Sequence, residues 1–251
     1  MPSERETNTA FQYVAHRGLT AIYPENTMLS YEKATAYPID MLEIDVHMTK
    51  DGQLVLIHDD TINRTSNGTG AIKDMTLAEL RQYDYGSWKG EAFRGLDIPL
   101  FSDVLNLANA TGLTLLIELK KPKQYPGIVT AILDAIETHD VPSEQIILQS
   151  FDHEAIREIK CQTTQYALGY LLSYTTYQHQ RPDLVQMAKE VQFANPNYLL
   201  IDDEFMKVAH EHGLTVLPYT VNDRDVIDNL KRMHVDGIIT DCVHEWLDET
   251  T

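Results

Sequence analysis

Two acids interrupt a stretch that otherwise reads as a buried strand. In "MLEIDVH" (residues 41–47), Leu42, Ile44 and Val46 alternate with Glu43 and Asp45, and residues i and i+2 of a strand project to one face. The pattern recurs over residues 113–120, "LTLLIELK", where Glu118 and Lys120 share one face while Ile117 and Leu119 share the other. Burying several carboxylates together without compensation costs roughly several kcal/mol per charge. A divalent cation bound by oxygen ligands offsets that cost better than Lys120 alone. The ligand set is hard and anionic, which points to Mg²⁺ or Ca²⁺ rather than zinc, with Mn²⁺ as a third candidate.

More polar groups fall at the ends of apolar runs: His16 and Arg17 after "FQYVA", and His58 in "LVLIHDD". Each has a plainer reading. Glu118 and Lys120 could be a structural ion pair, Glu43 and Asp45 could face water from an edge strand, and His16 could be a hydrogen-bonded core histidine. All of them lie at strand ends between His16 and Lys120, so the plain readings would have to hold at once. His210 and His212 in "HEHG" are two apart on a helix, unlike the HExxH zinc motif, and read as structural or surface groups. Tyr83, Tyr85, Trp88 and Phe93 read as a satellite core before a ligand cage.

The elements that must position these groups alternate along the chain. Strands are expected at "FQYVAH", "MLEIDVH", "LTLLIEL", "QIILQS", "YALGYLL", "NYLLI", "TVLPYT" and "VDGIIT". Between them, "TMLSYEKATAY", "GIVTAILDAIETHD", "HEAIREIKC", "PDLVQMAKEV", "DEFMKVAHEHG" and "DRDVIDNLKRMH" carry apolar residues at helical spacing. Such alternation predicts an α/β fold, a (β/α)8 TIM barrel formed by residues 1–251 as a single domain. A turn-rich segment at about 59–113 is expected as an insertion after the second strand, rimming one face. Active sites of such barrels form at the C-terminal ends of the strands, where the polar candidates lie.

The bulk properties narrow the partners. The chain has 251 residues, 43% of them hydrophobic, and a formal charge of −18. No basic face for a nucleic acid is visible in it. Cys161 and Cys242 show no ligand-like spacing, and neither an apolar leader nor a membrane anchor is evident. A cytoplasmic protein, monomeric or homodimeric, is expected.

Taken in order, "HRG" (16–18), "PENT" (24–27), "EIDV" (43–46), "HDD" with "RTSNGTG", "IELK" (117–120), "QSF" (149–151), "YTVN" (219–222) and "VDGIITD" (235–241) resemble the glycerophosphodiester phosphodiesterase family, in its cytoplasmic bacterial type. The resemblance runs from about residue 12 to the C-terminus. It implies a TIM barrel that uses one divalent cation to hydrolyse small glycerophosphodiesters, such as glycerophosphocholine or glycerophosphoethanolamine, to sn-glycerol 3-phosphate and an alcohol. By the same resemblance, Glu43, Asp45 and Glu118 are expected as metal ligands and His16 and His58 as the catalytic pair. Arg17 and Lys120 are expected on the phosphate, with Glu25 and Asn26 supporting the set from behind. The sequence departs from the family pattern at Tyr219, where Trp is frequent before "TVN", which bears on the substrate wall. It departs again at His234 and Val243, away from the expected site. A lysophospholipase D, a phospholipase C-like phosphodiesterase and a non-catalytic phosphate- or polyol-binding barrel are the competing readings.

Overall fold

The computed structural model describes residues 10–248. Its strands are β1 (Gln12–His16), β2 (Met41–Met48), β3 (Leu54–Leu56), β4 (Thr114–Leu119), β5 (Ile146–Ser150), β6 (Ala167–Leu172), β7 (Phe193–Pro196), β8 (Thr215–Val216) and β9 (Gly237–Thr240). The helices are α1 (Met28–Ala34), α2 (Leu77–Leu80), α3 (Phe101–Thr111), α4 (Ile128–Thr138), α5 (His153–Gln162), α6 (Tyr174–Tyr177), α7 (Leu184–Met187), α8 (Asp203–Glu211) and α9 (Arg224–Arg232). Eight parallel strands follow one another in the order β8-β7-β6-β5-β4-β2-β1-β9, with β3 pairing antiparallel on β2. Between β8 and β9 no ladder forms. Backbone bonds from Asp236 N to Val216 O (3.2 Å), Ile239 N to Pro218 O (2.9 Å) and Val221 N to Ile239 O (2.9 Å) bridge that gap and close the (β/α)8 barrel.

Parity along each strand decides what faces where. Leu42, Ile44 and Val46 join Ile117, Leu119 and Leu148 in the layer between sheet and helices. Residues of the opposite parity, Val14, Met41, Leu116, Ile147, Leu217 and Ile239, fill the inside of the barrel floor. Glu43 and Asp45 share the parity of Met41, so they stand inside the barrel above that floor. Both faces of β2 are therefore covered, and every residue from Met41 to His47 is buried.

The helices start at polar caps that satisfy orphan N–H groups. The side chains of Thr27, Asp152, Asp202 and Asp223 accept from the first turns of α1, α5, α8 and α9. Gly213, at φ 76°, follows the end of α8 as "HEHG" predicts.

Several expectations need correction. "NYLLI" is not a strand: the pairing segment is Phe193–Pro196, and Tyr198–Leu200 forms a single 3-10 turn in which Asn197 accepts from Leu199 N at 3.1 Å. Leu199 is 59% exposed, while Tyr198 and Leu200 pack against the core and Ile201 is buried, the uneven burial of a turn rather than of a strand. The ladder of "TVLPYT" spans only Thr215–Val216, and beyond it a further bond, from Tyr219 N to Pro196 O at 3.0 Å, ties the segment to the end of β7. In "PDLVQMAKEV" the helix covers Leu184–Met187 alone. The irregular stretch expected at 59–113 ends in eleven residues of regular helix, α3, which packs its Phe101, Val104, Leu105 and Ala108 into the main core. Ahead of α3, Val55, Ile57, Ile62, Ile72, Leu80, Tyr85 and Ile98 form a separate small core, with Tyr83 packed against it. Among the described residues no helix is long and apolar enough to cross a membrane.

Candidate active site

Strand register gathers the carboxylates. His16 pairs with Glu43 across β1 and β2, and Asp45 pairs with Glu118 across β2 and β4. One carboxylate oxygen from each of Glu43, Asp45 and Glu118 lies within 4.8 Å of the other two. All three residues are buried. Lys120 Nζ stands 2.8 Å from Glu118 Oε1 and 3.4 Å from Asp45 Oδ1, and Arg17 Nε stands 3.0 Å from Asp45 Oδ2. Asp45 Oδ1 accepts no hydrogen bond.

Three acids facing two cations leave an uncompensated charge, and the titration directions show it. Burial, reinforced by Asp45, pushes Glu43 well above the usual carboxylate range. Burial likewise raises Glu118 to about 7 against the pull of Lys120. Burial would raise Asp45 too, but Lys120 and Arg17 outweigh it and hold that group down. Burial disfavours both cations, yet Asp45 with Glu25 keeps Arg17 charged, and Asp45 with Glu118 keeps Lys120 charged. Converging hard oxygens, a carboxylate oxygen that accepts no hydrogen bond and excess negative charge fit a divalent cation of the Mg²⁺ or Ca²⁺ kind.

The two imidazoles are held alike. His16 Nδ1 is 2.6 Å from Asp241 Oδ1, and His58 Nδ1 is 2.7 Å from Asp59 Oδ1. A carboxylate can only accept, so each Nδ1 carries the proton and each Nε2 remains for the cavity. Asp241 is fixed in turn by Asn222 Nδ2 at 2.7 Å. Burial lowers the His58 pKa, partly offset by Asp45. For Asp59, the Arg64 hydrogen bond outweighs burial and holds the carboxyl at about 2.

The loop after β1 sets Arg17. Arg17 sits at φ 57° and Gly18 at φ 93°. A Cβ on Gly18 would collide with Ser30, so this turn demands glycine on both counts. Arg17 N donates to Glu43 O at 3.0 Å and to Glu43 Oε2 at 3.1 Å. Behind it, Asn26 Nδ2 donates to Asp45 Oδ2 at 2.9 Å while Tyr31 OH donates to Asn26 Oδ1 at 2.6 Å. Glu25 Oε1 accepts from Arg17 NH1 at 2.9 Å.

A cavity of about 160 Å³ opens above these groups, lined by His16, Arg17, Glu43, His58 and Glu118 on one side and by Phe151, Leu171, Tyr219 and Thr220 on the other. The charged residues sit on or just after β1, β2, β3 and β4; the opposite side comes from β5 and its end, from β6 and from the segment after β8. Phe151 continues into a wider groove of about 590 Å³ along Lys121, Lys123, Asp152 and Glu154. Tyr219 presents a ring, edge-on to Phe151 at 6.0 Å, and its hydroxyl donates to Leu172 O at 3.1 Å. It therefore offers the cavity an aromatic wall, the part expected of it, with its hydroxyl turned to the backbone. His16, Arg17, Glu43, His58 and Glu118 line this cavity, and Asp45, Lys120, Glu25 and Asn26 lie directly behind it.

Sequence reasoning missed the partners. Asp241 lies 225 positions from His16, beyond any local signal. Asp59 adjoins His58 and was visible in "HDD" without a role. His47 continues the Glu43–Asp45 parity and could have been found by it. It donates from Nε2 to His58 O at 3.1 Å and accepts at Nδ1 from Tyr125 OH at 2.7 Å. The insertion aromatics line no part of the cavity.

Comparison with known proteins gives this arrangement a context. Residues 16–245 match the glycerophosphoryl diester phosphodiesterase family. A glycerophosphodiester phosphodiesterase of Caldanaerobacter subterraneus subsp. tengcongensis is 34% identical over 229 residues, covering 91% of this chain and 93% of its own. One from Bacillus subtilis is 32% identical over 241 residues, covering 90% and 82%. Among solved structures, a phosphodiesterase of Oleispira antarctica in complex with the product sn-glycerol-3-phosphate superposes with a TM-score of 0.83, at 30% identity and 92% coverage of each chain.

Proposed function

The chain belongs to the glycerophosphoryl diester phosphodiesterase family, and from that premise we propose that it hydrolyses deacylated phospholipids, such as glycerophosphocholine or glycerophosphoethanolamine, to sn-glycerol 3-phosphate and the free alcohol. What carries the reading is one cavity in which two imidazoles, each tied at Nδ1 to a carboxylate, stand over three converging acids.

A phosphodiester is a monoanion whose alkoxide leaves poorly, so the site must neutralise charge and deliver a proton. A divalent cation held by Glu43, Asp45 and Glu118 would supply Lewis-acid neutralisation of the phosphoryl oxygens. Counting it, the charged side of the cavity changes from net negative to net positive, which suits an anionic substrate. Arg17 and Lys120 stay protonated and hold the phosphate by charge-assisted hydrogen bonds. Burial keeps His58 in its proton-accepting form, so His58 Nε2 takes the proton of the attacking oxygen, whether that oxygen is water's or the glycerol's own. His16 then gives a proton from Nε2 to the departing alcohol, while Asp241 holds the Nδ1–H and with it the orientation of the ring. Tyr219, Leu171 and Phe151 exclude water from the other side.

The deciding experiment uses the chelated protein, with and without Mg²⁺ or Ca²⁺: glycerol 3-phosphate release is followed by a coupled assay for glycerophosphocholine and glycerophosphoethanolamine, and choline release for lysophosphatidylcholine. Release of glycerol 3-phosphate from the first two only when metal is restored is expected. Equal turnover in excess chelator would sink the metal assignment, and turnover of lysophosphatidylcholine alone would sink the substrate class.

A further inference from the structure

One side chain outside the cavity touches the supports of both of its working halves. Arg64 lies in the "RTSNGTG" turn of the segment between β3 and α3 and does not line the cavity. Its Nε and NH2 donate to Asp59 Oδ2 (2.8 Å) and Oδ1 (3.1 Å), and its NH1 and NH2 donate to Glu25 Oε2 (2.7 Å) and Oε1 (2.8 Å). Asp59 is the carboxylate on His58 Nδ1, and Glu25 is the carboxylate on Arg17 NH1. A continuous chain of contacts thus runs His58, Asp59, Arg64, Glu25, Arg17, Asp45.

We propose that Arg64 is a positioning residue: it locks Asp59 and Glu25 in one frame, so that the imidazole that moves the proton and the guanidinium that holds the phosphate keep a fixed relation. The inference rests on the phosphodiesterase reading above. Only a planar fork can hold two carboxylates bidentately at once; an ammonium is a point charge without that geometry. Without Arg64, Glu25, whose side chain is 8% exposed, keeps Arg17 as its one remaining cation, and Asp59, 28% exposed, is free to turn toward water and leave His58 Nδ1. Losing alignment of a general base costs rate more than ground-state binding.

The test uses the full chain carrying Arg64→Ala and, separately, Arg64→Lys, with glycerophosphocholine in saturating metal. For Arg64→Ala, kcat should fall about 10- to 100-fold, KM should stay within about threefold, and added guanidinium at millimolar concentration should restore part of the rate where methylammonium does not. Arg64→Lys should remain impaired, and in the Asp59→Asn background Arg64→Ala should add less than its full effect. A second readout needs no turnover: the downfield Nδ1–H proton resonance of His58 should be present in the parent protein and lost in Arg64→Ala. An unchanged kcat, full activity in Arg64→Lys, a rise in KM alone, or a retained His58 resonance would each overturn the proposal. If Arg64→Ala does not fold, Arg64→Lys and the resonance carry the test. An inactive parent protein would defeat the phosphodiesterase reading itself, while the resonance would still judge Arg64.

Discussion

Protonation chemistry and metal ligation are separable at single residues. His16→Ala or His58→Ala should lower kcat by about 10²- to 10⁴-fold while the circular dichroism spectrum and unfolding midpoint stay near those of the parent, because each imidazole lies at the cavity edge rather than in the core. Wild-type turnover in either variant would remove that histidine from the mechanism. For Glu43→Gln, the quantity to follow is the metal concentration giving half-maximal rate, which should rise by about tenfold or more; an unchanged value would argue against ligation. At this scale the sequence was legible where chemistry shows as parity. Glu43, Asp45, Glu118 and Lys120 could be assigned to one face because period two is local. Asp241 could not be, since only the closed barrel brings β9 beside β1 and so carries its carboxylate to His16.

At the level of elements, most strands were readable because each is an apolar run between capped helices. The failures share a cause: β7 and β8 are short, four and two residues, and their neighbourhoods contain apolar side chains that serve other contacts. Leu199 and Leu200 mimic a buried strand but form the turn after one. Helix α3 was hidden by the turn-rich composition just before it, although its apolar positions recur at helical spacing. The β1–α1 turn carries a sharper prediction. Gly18→Ala should destabilise the protein by about 2–4 kcal/mol in urea unfolding, through the positive φ and the clash with Ser30. Activity per folded molecule should fall with it, because Arg17 precedes the turn. A variant as stable as the parent would show that the turn tolerates a side chain.

For the molecule as a whole, His47 should contribute acid lability in mildly acidic solution, against the opposite contribution of Glu43 and Glu118, whose raised carboxyls take up protons first in the folded chain. Burial lowers His47 from its ordinary value to about 4, so between about pH 6.5 and pH 4 the unfolded chain binds a proton there and the folded chain does not. The associated stability is full above about pH 6.5 and is lost as pH falls toward 4, an effect of up to about 3 kcal/mol. Chemical unfolding of the parent and of His47→Asn at pH 7 and pH 4.5 should show a smaller pH difference in the variant; equal differences would mean that His47 does not set this dependence. The barrel also divides its labour by arc. The groups proposed for proton transfer, phosphate binding and metal ligation sit on or just after β1 to β4, whereas the opposite wall comes from β5, β6 and the segment after β8. Under the proposed function, substitutions at Phe151, Leu171 or Tyr219 are expected to change which alcohol fits while the proposed catalytic groups stay in place. On that proposal, the ring of strands keeps its reaction on one arc and leaves the choice of departing alcohol to the other, so that each is open to selection by itself.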